Sequence, residues 1–403
     1  MKIFTEAQLP YPVALEKVAC MGTYIMLCAK PSPEPVSSPN KSTPLMGMCL
    51  LRPNLAIQVY AYCSLQEKAC EETFISNMTN QTRVLPLALL LALWVGLLAA
   101  AQTPVPRSVP NGLPSWAYNI PDKVQPPTAP VTGTIRMPGS AKEYDAAKAA
   151  SNTNPPDWFP DEHPPAPRIV KGENAPAGTV CGTCHLMSGQ GHPESADIAG
   201  LPAEYIVRQM NYFKSGARRD NERMGPIAKN VSDEDVRQAA DYFAAIKPIP
   251  WVKVIENAMP PKTFVSSAAR HRLLDPNGGT EPIGHRIIET PEDPFRTANR
   301  DPHSSFLAYV PPGSIAKGEA LVKTGGSGKT IQCAICHGDE LKGLGEVPRI
   351  AGLQPVYIAR QLICIQNGSS AGTGVALMKK VVSNLSEDDI ISISAYLGSL
   401  PPQ

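Results

Sequence analysis

No block of like charge interrupts this sequence. Its 37 Lys+Arg and 36 Asp+Glu leave a net charge of +1 over 403 residues. Neither sign gathers into a run, which excludes a nucleic-acid patch and an acidic tail. A Ser-His-Asp set, a phosphate-binding glycine loop and a dinucleotide fingerprint are also missing, so hydrolysis and nucleotide chemistry have no support. Sustained helical or strand periodicity is absent from residues 1–77, 102–180 and 247–312. Proline is abundant instead: 43 residues, roughly twice the usual share, which predicts long irregular connections.

The length allows two or three domains. One long apolar run stands out, from Val84 to Ala101. Arg83 before it, the leucine-rich centre and the Ala99-Ala100-Ala101 end describe a secretory signal over 78–101, starting at Met78 and cleaved before Gln102. Uncleaved, the same run is nearly long enough to anchor the chain in a membrane. Residues 1–77 then have no comfortable role. They carry Cys20, Cys28, Cys49, Cys63 and Cys70 in spacings that match no ligand framework, and read as an over-extended start. Residues 102–168 are a proline-rich arm, with Trp116, Trp158 and Phe159 as anchors to a domain surface.

The chemistry lies further on. Cys181-Gly-Thr-Cys184-His185 and Cys333-Ala-Ile-Cys336-His337 are two copies of the Cys-x-x-Cys-His signature for covalent haem c. The thiols add to the two haem vinyl groups and the imidazole becomes the proximal iron ligand. A lone pentapeptide also fits a redox dithiol or half of a zinc site. Here each copy is followed by the same pattern at a 152-residue offset. That offset carries Ile198-Ala199-Gly200-Leu201 onto Ile350-Ala351-Gly352-Leu353, and Tyr205, Arg208 and Gln209 onto Tyr357, Arg360 and Gln361. It lengthens by two residues after Gly216/Gly368, taking Met224 to Met378 and Asp235 to Asp389. One domain has been written twice, over 169–246 and 313–403, separated by an irregular linker at 247–312.

Helix signals agree between the copies. Pro202 and Gly216, like Pro355 and Gly368, bracket a middle helix. Ser232 with Asp235, and Ser386 with Asp389, have the spacing of a capping box before a terminal helix. Val236, Ala239, Ala240 and Phe243 form the buried stripe of the first terminal helix, and Ile390, Ile393 and Leu397 that of the second. Ala316 to Val322 predicts a leading helix in the second copy, ended by Gly325-Gly326. Pro176 weakens or removes its counterpart in the first.

Met378 is the only methionine after the second motif and is expected to be the distal ligand opposite His337. By the repeat, Met224 pairs with His185. Met187 follows His185 too closely to reach the other haem face, Met210 belongs to a helix stripe, and His192 is the remaining alternative. His163, His271, His285 and His303 read as non-ligands, and Cys364 as a buried inert thiol.

Both copies resemble class I cytochrome c domains, and the tandem is similar to soluble bacterial dihaem cytochromes c. The resemblance covers 169–246 and 313–403. It implies an all-α fold around each haem, His/Met axial ligation and periplasmic electron shuttling. Its residues here are Cys181, Cys184, His185 and Met224, then Cys333, Cys336, His337 and Met378. Partners would be redox proteins such as a dehydrogenase, an oxidase or other cytochromes. Two features depart from the family pattern: the long linker, so close contact between the two haems is not implied, and the proline-rich arm, which is extra and a candidate docking element. The competing readings are a dihaem peroxidase, which needs one iron open to peroxide, and a docking module in which haem only stabilises the fold.

Overall fold

The computed structural model describes two strands, β1 (Ala14–Lys17) and β2 (Leu27–Lys30), and residues 112–118, 120, 132–172, 180–266 and 271–402. The chain divides into two units, Met1–Thr103 and Pro104–Gln403. In the first unit β1 and β2 pair antiparallel. The expected signal at 78–101 lies outside the described residues. Among those residues no helix is long and apolar enough to cross a membrane.

The second unit holds both repeats. In the first, α2 (Arg168–Lys171) is a single turn before the haem-motif turn α3 (Gly182–His185). Then come α4 (Ala203–Ser215), α5 (Met224–Asn230) and α6 (Asp233–Ala244). In the second, α8 (Ser314–Thr324) leads to the motif turn α9 (Ala334–His337). There α10 (Pro355–Gln366), α11 (Ala376–Val382) and α12 (Glu387–Ser399) follow. The leading helix is thus reduced to one turn in the first copy, as Pro176 implies.

Local chemistry sets these boundaries. Gly216 closes α4 at φ 80°, a conformation that costs glycine least. Ser386 and Asp389 form the reciprocal capping box on α12. In α6 the Asp235 N–H donates to Ser232 Oγ at 3.1 Å. Val236, Ala239, Ala240 and Phe243 are buried, and so are Ile390, Ile393 and Leu397. Gly318 lets α8 cross α12 closely, since a Cβ there would stand 1.9 Å from the Ser392 carbonyl oxygen.

The linker corrects the all-α expectation. Residues 252–310 carry β5 (Val252–Glu256), β6 (Thr263–Val265), β7 (Arg272–Leu274), β8 (Ile288–Pro291) and β9 (Phe306–Val310). Strand β9 is central, parallel to β5 and antiparallel to β8. The short one-turn helix α7 (Pro294–Ala298) connects β8 to β9. All four β8 residues are buried; a strand covered on both faces loses the alternation that marks a strand in sequence.

The arm behaves as its aromatics suggest. Trp116 joins the second-repeat core and donates from Nε1 to Glu387 Oε1 at 2.7 Å. Trp158 is 2% exposed, donates to the Asn299 carbonyl at 2.7 Å and meets Tyr144 edge-on at 4.8 Å. The arm also contains a small hairpin, β3 (Thr134–Ile135) with β4 (Tyr144–Asp145), leading into the one-turn helix α1 (Ala146–Ala149).

The two repeats pack directly on one another, through equivalent residues. Arg218 and Ser370, each two residues past the glycine after its middle helix (Gly216, Gly368), form an antiparallel bridge. On either side Arg219 N donates to Ser369 O at 2.9 Å and Ala371 N to Ala217 O at 2.7 Å. The Arg218 guanidinium donates to Gln209 Oε1 at 2.8 Å and to its equivalent Gln361 Oε1 at 2.6 Å. Asp197 and Arg349, again equivalent, form an ion pair at 2.7 Å with side chains 2% and 3% exposed. Self-pairing of equivalent positions is the mark of a two-fold interface, here within one chain.

Candidate haem sites

Each motif is a one-turn helix whose first cysteine stands just outside it. His185 N and His337 N each donate to the carbonyl of the first cysteine of their motif at 2.9 Å. The imidazoles are then fixed in the same way. His185 Nδ1 lies 2.8 Å from Ala196 O, and His337 Nδ1 lies 2.8 Å from Pro348 O, eleven residues on in both cases. Nδ1–H donation to a carbonyl leaves Nε2 unprotonated, the tautomer an iron ligand needs. Burial lowers both imidazole pKa values, which keeps the rings neutral.

In the first repeat an apolar cavity gathers the sequence-predicted set. Cys181, Cys184, His185 and Met224 all line it, although they come from α5 and the motif turn. Ile206 and Phe243 supply part of the apolar wall. Burial pushes the Cys181 thiol up to about 12 and the Cys333 thiol up to about 11. A redox dithiol needs a depressed thiol pKa, so that alternative loses ground. The residues fit a covalently held haem: two thiols, one oriented imidazole and a thioether around an apolar space.

Met210 lines the same cavity as Met224, whereas Met187 packs into the first-repeat core. His192 does not line it; its ring is engaged by Glu194 and Ser195. His163 is held by Asp157 and Pro164 O, His285 by Asp388 and His303 by Glu162. Cys364 is half-buried on the cavity wall, and burial raises its thiol pKa.

In the second repeat Cys333, Ala334 and Met378 lie against the local core. The surroundings of the two motifs differ sharply. Thr183, between the first pair of cysteines, is 8% exposed. Its hydroxyl donates to Asn152 O at 2.7 Å, and its carbonyl accepts from Arg300 Nε at 3.1 Å. Arg300 also donates to Ala149 O at 2.7 Å, so arm and linker together roof the first motif. The equivalent residue Ile335 is 63% exposed, and Cys336 is exposed. Arg300 and Asn152 carry no sequence signal, because they reach the motif from 117 and 31 residues away.

No family model matches the chain. It is 26% identical over 231 residues to the thiosulfate dehydrogenase electron acceptor of Thiomonas intermedia, covering 56% of this chain and 81% of that protein. It is 26% identical over 226 residues to cytochrome c4 of Pseudomonas aeruginosa, covering 55% and 84%. Cytochrome c-554(547) of Halothiobacillus neapolitanus is 34% identical over 85 residues, 18% of this chain and 93% of the relative. A solved cytochrome c4 from Acidithiobacillus ferrooxidans aligns at 24% identity over 55% of this chain and 98% of that one, with a TM-score of 0.37. Two motif turns with identically tied imidazoles and relatives of this kind lead to one placement: the chain belongs to the dihaem class I cytochrome c family.

Proposed function

We propose that this protein is a periplasmic dihaem electron carrier that serves a dehydrogenase or a respiratory chain. Haem c would be held by Cys181 and Cys184 in one repeat and by Cys333 and Cys336 in the other. The axial pairs would be His185 with Met224 and His337 with Met378. The observation that carries this reading is the duplicated anchoring of His185 and His337 on backbone carbonyls at 2.8 Å, each with a methionine helix following.

Haem c, when bound, supplies one reversibly exchanged electron per site. The protein residues decide how that electron is used. The carbonyls of Ala196 and Pro348 hold the imidazoles in the ligating tautomer. The thioethers of Met224 and Met378 would be held as iron ligands, which would favour ferrous iron, raise the potential and keep peroxide from the metal. The apolar walls around His185 exclude water, which limits reorganisation. A relative whose name describes an electron acceptor for thiosulfate dehydrogenase supports a dehydrogenase as donor.

The difference in exposure suggests a direction. The first motif is roofed by Arg300, Asn152 and Thr183, whereas Ile335 and Cys336 of the second face outward. The second repeat is therefore the port for partner proteins, and the two-fold contact links it to the first. A spectroscopic redox titration of the haem-loaded protein tests the carrier reading. Two reversible waves at fairly high potential are expected, with only slow stoichiometric oxidation by hydrogen peroxide. Sustained peroxide consumption with an external donor would transfer the assignment to a dihaem peroxidase.

A further inference from the structure

Beside the first haem cavity stands a cluster that electron transfer does not use. His192 and Glu194 lie on the turn after the first motif, and His271 comes from the linker, just before β7. Their ligand atoms all fall within 4.8 Å of one another. His192 Nδ1 is 2.6 Å and His271 Nδ1 is 3.2 Å from the same carboxylate oxygen, Glu194 Oε2. The two imidazole rings meet edge to face with centroids 4.9 Å apart. All three side chains are close to fully buried, at 14%, 9% and 11% exposed.

We propose that His192, Glu194 and His271 form a binding site for a divalent transition cation of the zinc class, which fastens the linker sheet to the first haem repeat. Two imidazole nitrogens and one carboxylate oxygen are a ligand set that such ions accept, leaving a fourth position for water. On binding, each neutral imidazole carries its proton on Nε2 instead of Nδ1, and the cation takes the place between the two Nδ1 atoms and Oε2. A supporting layer is already built. His192 Nε2 lies 3.2 Å from Ser195 Oγ, the outer partner that orients a ligating imidazole. Trp251 donates from Nε1 to the Gly191 carbonyl at 3.0 Å, next to His192. Phe306 packs near the His271 ring, with centroids 6.3 Å apart.

The second repeat supplies an internal control. The turn at His192 and Ser195, bridged by paired backbone hydrogen bonds, recurs at Leu344 and Val347. There Leu344 replaces His192 and is 62% exposed, and Glu346, the counterpart of Glu194, pairs with Arg208. One turn has thus been equipped with a nitrogen ligand, His192, and covered by a histidine from the linker; its copy has neither.

The test uses the full-length, haem-loaded protein freed of metal with a chelator, and zinc alone as probe. Equilibrium dialysis with elemental analysis should find one tightly held zinc per chain, and thermal denaturation should shift upward with zinc. His271→Ala and His192→Gln should each abolish that zinc and the shift, with haem absorbance unchanged. Ser195→Ala should keep the stoichiometry but weaken binding about tenfold or more. X-ray absorption at the zinc edge of the unmutated protein should show two imidazoles at about 2.0–2.1 Å, a readout that survives if a variant fails to fold. No tight zinc, a stoichiometry indifferent to both histidine changes, or fewer than two imidazoles at the metal would each overturn the proposal and leave a plain hydrogen-bonded cluster.

Discussion

Replacing Arg349 with methionine tests the two-fold contact at its most buried point. The change removes the guanidinium and keeps an unbranched chain that can fill the space. Arg349 Nη2 lies 2.7 Å from Asp197 Oδ1, and neither side chain is more than 3% exposed. Without it, Asp197 retains the Ala199 N–H at 3.2 Å on Oδ1, while Oδ2 has no partner. Removing one member of such a pair costs about 3–5 kcal/mol, because a charge stays buried without its counterion. Asp197 can escape part of that cost by taking up a proton, and burial already pushes its carboxyl pKa upward even with Arg349 present. In the variant the folded-state pKa therefore lies well above the unfolded value. The loss is smallest below the unfolded pKa and grows as pH rises towards the folded one. At neutral pH we expect about 3 kcal/mol, clearly less near pH 4. Asp197→Asn should cost less, since Arg349 keeps the carbonyls of Ala199 and Ala351, and the double variant should recover stability relative to Arg349→Met. Urea unfolding of the haem-loaded protein at two pH values provides the assay. A loss below about 0.5 kcal/mol, or one equal at both pH values, would refute the reasoning.

The remaining expectations concern ligation, docking and stability. Met378→Ala and Met224→Ala should each remove about half of the sulfur-to-iron charge-transfer band and open one iron to carbon monoxide; an unchanged band in Met224→Ala would point to Met210. Ile335→Asp should slow electron exchange with a protein partner severalfold without moving either potential, whereas Arg300→Ala should leave that exchange intact; stopped-flow kinetics distinguish the two. Glu289, buried with Oε1 accepting from Val356 N at 2.8 Å, has its carboxyl pushed up to about 8 by that burial. Its ionisation lowers stability as pH rises from about 4.5 towards 8, with a slope of at most ~1.4 kcal/mol for each step of one in pH. Glu289→Gln should flatten that slope in melting temperature, and parallel slopes would count against it. Gly318→Ala should lower the melting temperature by several degrees, because its Cβ has no room beside Ser392.

The two motif turns and the helices around them were legible because their determinants are short-range. Two cysteines and a histidine within five residues specify an attachment turn. A proline before a helix and a glycine after it, or a serine three residues before an aspartate, set a boundary through local backbone chemistry. Written twice at one offset, these signals also exposed the repeat. What surrounds the motifs was decided only by the tertiary structure. Strand β8 is buried on every residue and so shows no alternating pattern. The roof over Thr183 joins residues from three separated segments, and the Asp197–Arg349 pair depends on one repeat meeting its copy about a two-fold axis. His271 reads as a non-ligand until the folded linker places it 3.2 Å from Glu194, 77 residues away. Such contacts depend on packing and burial, which no spacing rule encodes.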